Sequence, residues 1–356
     1  LMAALATGPA VAQTAVVHAG TQLAVPGQAP KERQSIVLNG ERIQRIEPGF
    51  TDPATLGEGV SLIDLSDQFV LPGLMDMHVH LRGELNANRR QEVLTLTSEM
   101  MTLRAQVNGM KTLRAGFTTV RDLGAPPAVI YALRDAIEGG LVQGPRIFAA
   151  GSALAATGGH GDVDGYKAEL LELWTPDTIC DGPFECRQAV RRAVKFGADW
   201  IKITATGGVL SDTGTGLNQQ MTEDELTEIM DTAHNLGVKV AAHAHGVDGI
   251  NAALRAGVDS IDHGTFLDEE SVELFLNRGA YWVPTLMPGA ILPGQMMGNP
   301  FFTPAIQEKV KLAVSASEEG FQLAYRNGVN IAFGTDSGVT PHGDNAQEFA
   351  LMVARG

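Results

Sequence analysis

Positive charge is scarce in this chain: 26 Lys and Arg face 41 Asp and Glu across 356 residues, for a net charge of -15. A phosphate backbone would be repelled by such a surface, which argues against nucleic acid as a partner. Long apolar runs are missing as well, so no segment reads as a membrane span. No Gly-x-Ser-x-Gly elbow, P-loop or dinucleotide-binding glycine fingerprint occurs, which leaves seryl-nucleophile and nucleotide chemistry without a motif. Cysteine is limited to Cys180 and Cys186, flanking Asp181-Gly182-Pro183. That spacing allows either a disulfide closing a tight loop or two reduced, buried thiols.

Glycine, by contrast, is plentiful at 41 residues, as a fold with many tight strand–helix turns requires. Residues 1–12 hold a small apolar region and the small-residue pattern Ala10-Val11-Ala12, without a basic leader. They read as the remnant of a secretory signal, which predicts a secreted or periplasmic protein. Residues 13–70 carry short alternating segments and the turn Asn39-Gly40, and are expected to form the N-terminal part of a small β-sandwich domain.

From residue 71 to 356 the pattern becomes strand then helix, repeated. Strands are predicted at 71–80, 117–122, 146–150, 200–204, 239–243, 260–263, 281–286 and 330–335. Helices are predicted at 87–115, 126–139, 184–197, 222–236, 247–256, 268–278 and 304–328, with Thr222-Glu223-Asp224-Glu225 as a capping box. This alternation indicates an α/β fold of the (β/α)8 TIM-barrel type, in which chemistry gathers at the carboxyl ends of the strands.

Ligand-type residues fall at those ends. In LPGLMDMHVH (71–80), strand periodicity puts His78 and His80 on one face, where two imidazoles suit a divalent metal. Lys202 sits between the β-branched residues of WIKIT, where an unpaired ammonium is costly. It can be neutral, salt-bridged, or carboxylated by CO2 to an anionic carbamate that bridges two metals; the surrounding histidines favour the carbamate. His243-Ala244-His245 ends the fifth strand, His263 the sixth, and Asp336 follows the eighth.

The pieces LPGLMDMHVH, FTTVRDLG, TGGHGD, WIKITATGG, HAHG, DSIDHG and FGTDSG together resemble the amidohydrolase superfamily, in its binuclear-zinc branch of prolidase-like and imidazolonepropionase-like hydrolases. The resemblance runs from Leu71 to Gly338, almost the whole barrel. It implies hydrolysis of dipeptides or N-acyl amino acids, some relatives cleaving the phenylalanine amide of ochratoxin A. It implies two Zn2+ or similar ions, with His78, His80 and Asp336 at one, His243 and His263 at the other, and carboxylated Lys202 bridging. Asp336 would shuttle a proton between the attacking hydroxide and the leaving amine, while His160 and His245 would face a small-molecule or dipeptide-like substrate. Asp76 is left as support for the histidines.

Two other readings are a mononuclear deaminase or cyclic-amide hydrolase of the same superfamily, and a non-catalytic binding homologue. Arg82 and Arg121 are candidates for a substrate carboxylate or for structural ion pairs. His18, His234 and His342 are expected to be structural or surface residues. The proline-rich, apolar stretch 287–297 is expected to wall a pocket or to form a contact in a homo-oligomer. Because relatives return through further strands to complete the small domain, that domain is expected to be incomplete, with a C-terminal segment missing.

Overall fold

The computed structural model describes residues 14–356, so the signal-remnant reading of residues 1–12 lies outside the described residues. The chain divides after Gly73 into two compact units.

The first unit holds β1 (Thr14–Gln22), β2 (Lys31–Asn39), β3 (Arg42–Pro48) and β4 (Ser61–Val70) in one sheet of order β3-β2-β1-β4. The β2–β3 hairpin turns at Gly40, whose φ of 58° lies in the left-handed region that a tight turn needs. A sandwich needs a second sheet, and the described residues of this unit form only this one. Ile43, Ile46, Leu62, Ile63 and Phe69 of its outer strands stay exposed. His18 is a strand histidine here, bonded through Nε2 to the Thr51 carbonyl at 2.9 Å and stacked on Phe50.

The second unit is mixed α/β with parallel strands. One sheet joins β5 (Leu74–Val79), β6 (Phe117–Asp122) and β7 (Arg146–Ala149). The other runs β8 (Trp200–Thr204), β9 (Lys239–Ala244), β10 (Ser260–His263), β11 (Tyr281–Val283) and β12 (Asn330–Ile331), each beside the next. Single parallel bridges, Leu154 to Ile203 and Val79 to Ser337, pair residues at both junctions of the two sheets. These strands are buried on both faces, as in β8 and β9, because helices cover one side and packed side chains the other.

Helices alternate with the strands: α1 (Arg89–Thr95), α2 (Ser98–Arg114), α3 (Pro127–Glu138), α4 (Ala168–Trp174), α5 (Pro183–Lys195), α6 (Glu223–Asn235), α7 (Val247–Ala256), α8 (Glu269–Arg278), α9 (Leu286–Gln295), α10 (Pro304–Arg326) and α11 (Gln347–Arg355). The Thr222/Glu225 capping box opens α6 as expected, and Asp268 with Ser271 opens α8 in the same way. Cys180 and Cys186 are joined in a disulfide at the start of α5.

Three expectations are corrected. The stretch 87–115 forms two helices, because Leu96 is extended between α1 and α2. The last two strands are shorter than predicted: β11 stops at Val283 and β12 at Ile331. Residues from Leu286 instead enter helix α9, which accommodates Pro288 in its first turn, where the amide that proline lacks has no partner in the helix.

The start of α9 is held from a distance. Buried Glu348, in α11, accepts hydrogen bonds from the amides of Leu286 and Met287, both at 2.8 Å. Burial, with Asp76 nearby, raises its pKa from 4.5 to about 8. Arg121 is fully buried and donates to the Met77 carbonyl, Ser260 Oγ and Asp262 Oδ1, at 2.7, 3.1 and 3.1 Å. It is therefore a structural ion pair between strands, not a substrate contact.

Two predictions follow from these buried groups. Arg121→Ala removes one of the two cations paired with buried Asp262 and should cost about 3–5 kcal/mol in chemical denaturation. Glu348 holds its proton more tightly folded than unfolded, so its stabilisation is complete below pH 4.5 and is lost as pH rises through about 8. The melting temperature should fall more steeply from pH 5 to 8 in the wild type than in Glu348→Gln; parallel curves would refute the assignment.

Candidate functional site

At the end of β5, His78 Nε2 and His80 Nε2 lie 3.3 Å apart, and Asp336 Oδ1 is 3.4 Å from the first and 3.2 Å from the second. The chain brings Asp336 there through a tight turn after β12, where Asp336 has a φ of 55°. A left-handed backbone costs an aspartate about 1–2 kcal/mol, and such strain gathers where a side chain must be aimed. His263, at the end of β10, has the same feature with a φ of 69°. Gly338 makes room: a Cβ there would approach His80 to 2.7 Å.

His243, His245 and His263 form a second group whose ligand atoms lie within 4.8 Å of one another, as do those of His78, His80 and Asp336. The groups adjoin, with the His78 and His263 rings 5.0 Å apart. His160 packs against His243 at 4.2 Å between ring centres, and Gly208 leaves the space its ring fills. The expected ligand residues His78, His80, His243, His263, Lys202 and Asp336, and the expected substrate contacts His160 and His245, all line one cavity of about 620 Å³. His245 stands beside His243 and His263 as a third nitrogen, where the sequence placed it facing substrate.

Hydrogen bonds set the tautomers. Thr285 Oγ1 donates to the Pro284 carbonyl at 2.8 Å, so it accepts from His263 Nδ1 at 2.7 Å and leaves Nε2 as a lone pair. His80 Nδ1 faces the Gly124 carbonyl at 3.3 Å, which frees Nε2 in the same way. For His243 it is Nε2 that faces a carbonyl, that of Gly207 at 3.4 Å, which frees Nδ1. His245 Nδ1 pairs with Thr265 Oγ1 at 2.7 Å, and His160 Nδ1 with Ser211 Oγ at 2.5 Å.

Burial lowers the pKa of His78, His243 and His263, takes His245 to about 3 and His160 to about 4, and so keeps these imidazoles neutral. Asp336 Oδ1 is buried without a hydrogen-bond partner. A cluster of neutral nitrogen lone pairs around an unsatisfied carboxylate oxygen is the donor chemistry of a divalent metal site of the zinc type. The residues present fit such a site.

Lys202 is buried, and its Nζ contacts Asp262 Oδ2 in an ion pair. Burial lowers its pKa although Asp262 pulls the other way. Asp262 itself was not singled out in the sequence. Its signal was a carboxylate inside a short inner strand, directly before the ligand-type His263. The hydroxyls of Ser211, Thr265 and Thr285, which orient the histidines, carry no sequence signal.

Asp76 supports the histidines as expected. It accepts from Thr335 Oγ1 at 2.6 Å, Asn345 Nδ2 at 2.7 Å and the amides of Thr335 and His78 at 3.1 Å, which ties β5 to the turn before Asp336. Burial raises its pKa to about 6. His342 bonds Thr112 Oγ1 and the His80 carbonyl, each at 3.3 Å, and His234 pairs with Asp259 at 2.9 Å; both are structural.

Residues 69–355 match the amidohydrolase family. Ochratoxinase from Aspergillus niger is 32% identical over 302 residues, which is 81% of this chain and 61% of that protein. The chain thus spans about three fifths of the length of that curated relative. Among solved structures, a Xaa-Pro dipeptidase with methionine bound in its active site is 40% identical with a TM-score of 0.90, over 97% of this chain and 84% of that one. The Aspergillus niger ochratoxinase structure follows the chain with a TM-score of 0.82 at 28% identity, over 97% of this chain and 80% of that one. The chain belongs to the amidohydrolase family, among ochratoxinase and prolidase-like relatives.

Proposed function

We propose that the protein is a metal-dependent hydrolase that cleaves the amide or peptide bond next to a C-terminal amino acid. The observation that carries this reading is the convergence of neutral histidine nitrogens, Asp336 and Lys202 on one cavity. In this reading the two parallel sheets close into a (β/α)8 barrel, supported by the Leu154–Ile203 and Val79–Ser337 bridges at their junctions. His78, His80 and Asp336 would hold one ion and His243 and His263 the other, with Lys202, as a carbamate, serving both groups. Zinc is favoured by the imidazole-rich donor set. Bound ions would supply a nucleophilic oxygen near neutral pH and polarise the scissile carbonyl.

The remaining work falls to the chain. Asp336 accepts the nucleophile's proton on its carboxylate and returns it to the departing nitrogen, which must leave protonated. His245 and His160, held by Thr265 and Ser211, present ring nitrogens to the substrate. Leu286, Pro288, Leu292, Phe301 and Val310 form an apolar wall that suits a hydrophobic side chain. A related Xaa-Pro dipeptidase with bound methionine and a related prolidase complexed with N-methylphosphonate-L-proline support an amino-acid leaving group. The Cys180–Cys186 disulfide supports an oxidising compartment, secreted or periplasmic.

The Lys202–Asp262 ion pair favours a second reading, a mononuclear deaminase or cyclic-amide hydrolase in which Lys202 is structural. Carboxylation requires a neutral amine, and the lowered pKa of Lys202 supports one.

The hydrolase reading is tested on zinc-loaded protein with Xaa-Pro and Xaa-Arg dipeptides, N-acyl-Phe, N-acyl-Leu and ochratoxin A. Hydrolysis of at least one is expected, abolished by chelator and restored by Zn2+; inertness across the panel would overturn the reading. On the best substrate, Asp336→Asn should lower kcat by about 100-fold or more. Lys202→Ala should lose activity and regain part of it with short carboxylic acids, whereas the mononuclear reading predicts no rescue.

A further inference from the structure

We propose that Lys309 is a positioning residue: by fastening the turn from Gly208 to Ser211, it holds the His160 ring where that ring meets the substrate. The task given to His160 rests on the hydrolase reading, whereas the hold of Lys309 on the turn does not.

The turn follows β8, and the Ser211 amide closes it by donating to the Gly208 carbonyl at 3.3 Å. Both of its ends touch His160. Ser211 Oγ pairs with His160 Nδ1 at 2.5 Å, and Gly208 lies so close that a Cβ there would come within 2.2 Å of the ring. Lys309, in α10, grips the same two ends. Its Nζ donates to the Gly208 and Ser211 carbonyls, at 2.8 and 2.6 Å. The start of α10 adds two further fastenings. Thr303, the N-cap, donates from Oγ1 to Asp212 Oδ1 at 2.8 Å, and Val209 within the turn shares an apolar cluster with Ile306 and Val310.

Lys309 is only 6% exposed, and among the described residues no carboxylate pairs with it. The adjoining acid, Asp212, is taken by Arg90 at 2.8 Å. Burying an ammonium against two neutral carbonyls is costly, and an amide side chain would tie a loop to a helix at less expense. What the ammonium adds is strength, because a charged donor makes shorter and firmer hydrogen bonds than a neutral one. Among the described residues, Ser211 Oγ is the one hydrogen-bond partner of the His160 ring, so the ring's orientation depends on the turn. The same helix lines the cavity with Val310 and Val314. One element thereby sets both part of the apolar wall and the histidine opposite the metal-type ligands, where small displacements are expensive in rate.

Two measurements on the zinc-loaded protein test the hold. With isotope-labelled histidine, the imidazole resonances of His160 are those lost in His160→Gln. Lys309→Met and Ser211→Ala should each move them, and Lys309→Gln, which keeps a neutral donor and the packing of α10, should move them less. In turnover of the best substrate of the panel, Lys309→Met and Ser211→Ala should each lower kcat/KM by about tenfold, mostly through KM, as loss of a contact made before the chemical step implies. Because both act on one ring, the double variant should be little worse than the more severe single variant. His160 resonances unmoved in both Lys309 variants, or fully additive losses in the double variant, would overturn the proposal. If the resonances move but no panel substrate is hydrolysed, the hold stands and the hydrolase reading falls. If substrates are hydrolysed while both Lys309 variants leave the resonances in place, the reverse holds.

Discussion

Burial of ionisable groups at the strand ends is the constraint on which the second unit depends. His78, His243 and Lys202 are all at most 5% exposed, and each would be charged or hydrogen-bonded in water. The fold meets that desolvation in two ways. Buried His78, His243 and His263 stay neutral, and His243 and His263 each turn one nitrogen toward a carbonyl or hydroxyl so that the other converges on its neighbours. The remaining charges are balanced inside: Asp262 lies between Arg121 and Lys202, and Asp76 is wrapped by four donors. Removing any member would leave another uncompensated, which is why the stability of this region and its chemistry are hard to separate.

Much of this arrangement could be read from residue order alone, because a strand's period of two and the strand–helix alternation state where side chains gather. His78-Val79-His80 and His243-Ala244-His245 are pairs on one face of a strand, and the structure brings both pairs, with His160, His263, Lys202 and Asp336, to one cavity. What could not be read depends on contacts between distant segments. The hydroxyls of Thr285 and Ser211 act on histidines 22 and 51 residues away, and Glu348 caps a helix 62 residues earlier. Nothing in a serine, threonine or glutamate marks such a partner. The stretch after Val283 fits a strand in sequence because its apolar residues suit both periods over so short a run, whereas the helical capping by Glu348 is non-local.

The same logic connects the wall of the cavity to its floor. Glu348 fixes the first turn of α9, and Thr285, immediately before that turn, orients His263. Leu286, Pro288 and Leu292 of α9 face the cavity. One buried carboxylate thus holds both an apolar wall of the cavity and, one residue away, the hydroxyl that sets the tautomer of His263. Selectivity and metal binding are expected to shift together when α9 is disturbed, even though its residues donate no ligand atoms.

The central claim is that the two groups of residues act as a paired metal site. Metal content of the protein purified without chelator, measured by inductively coupled plasma mass spectrometry, tests it most directly. The account predicts about two divalent ions per chain in the wild type and about one when His263 is replaced by alanine. A wild-type protein that binds one ion or none after incubation with excess Zn2+ and desalting would contradict it.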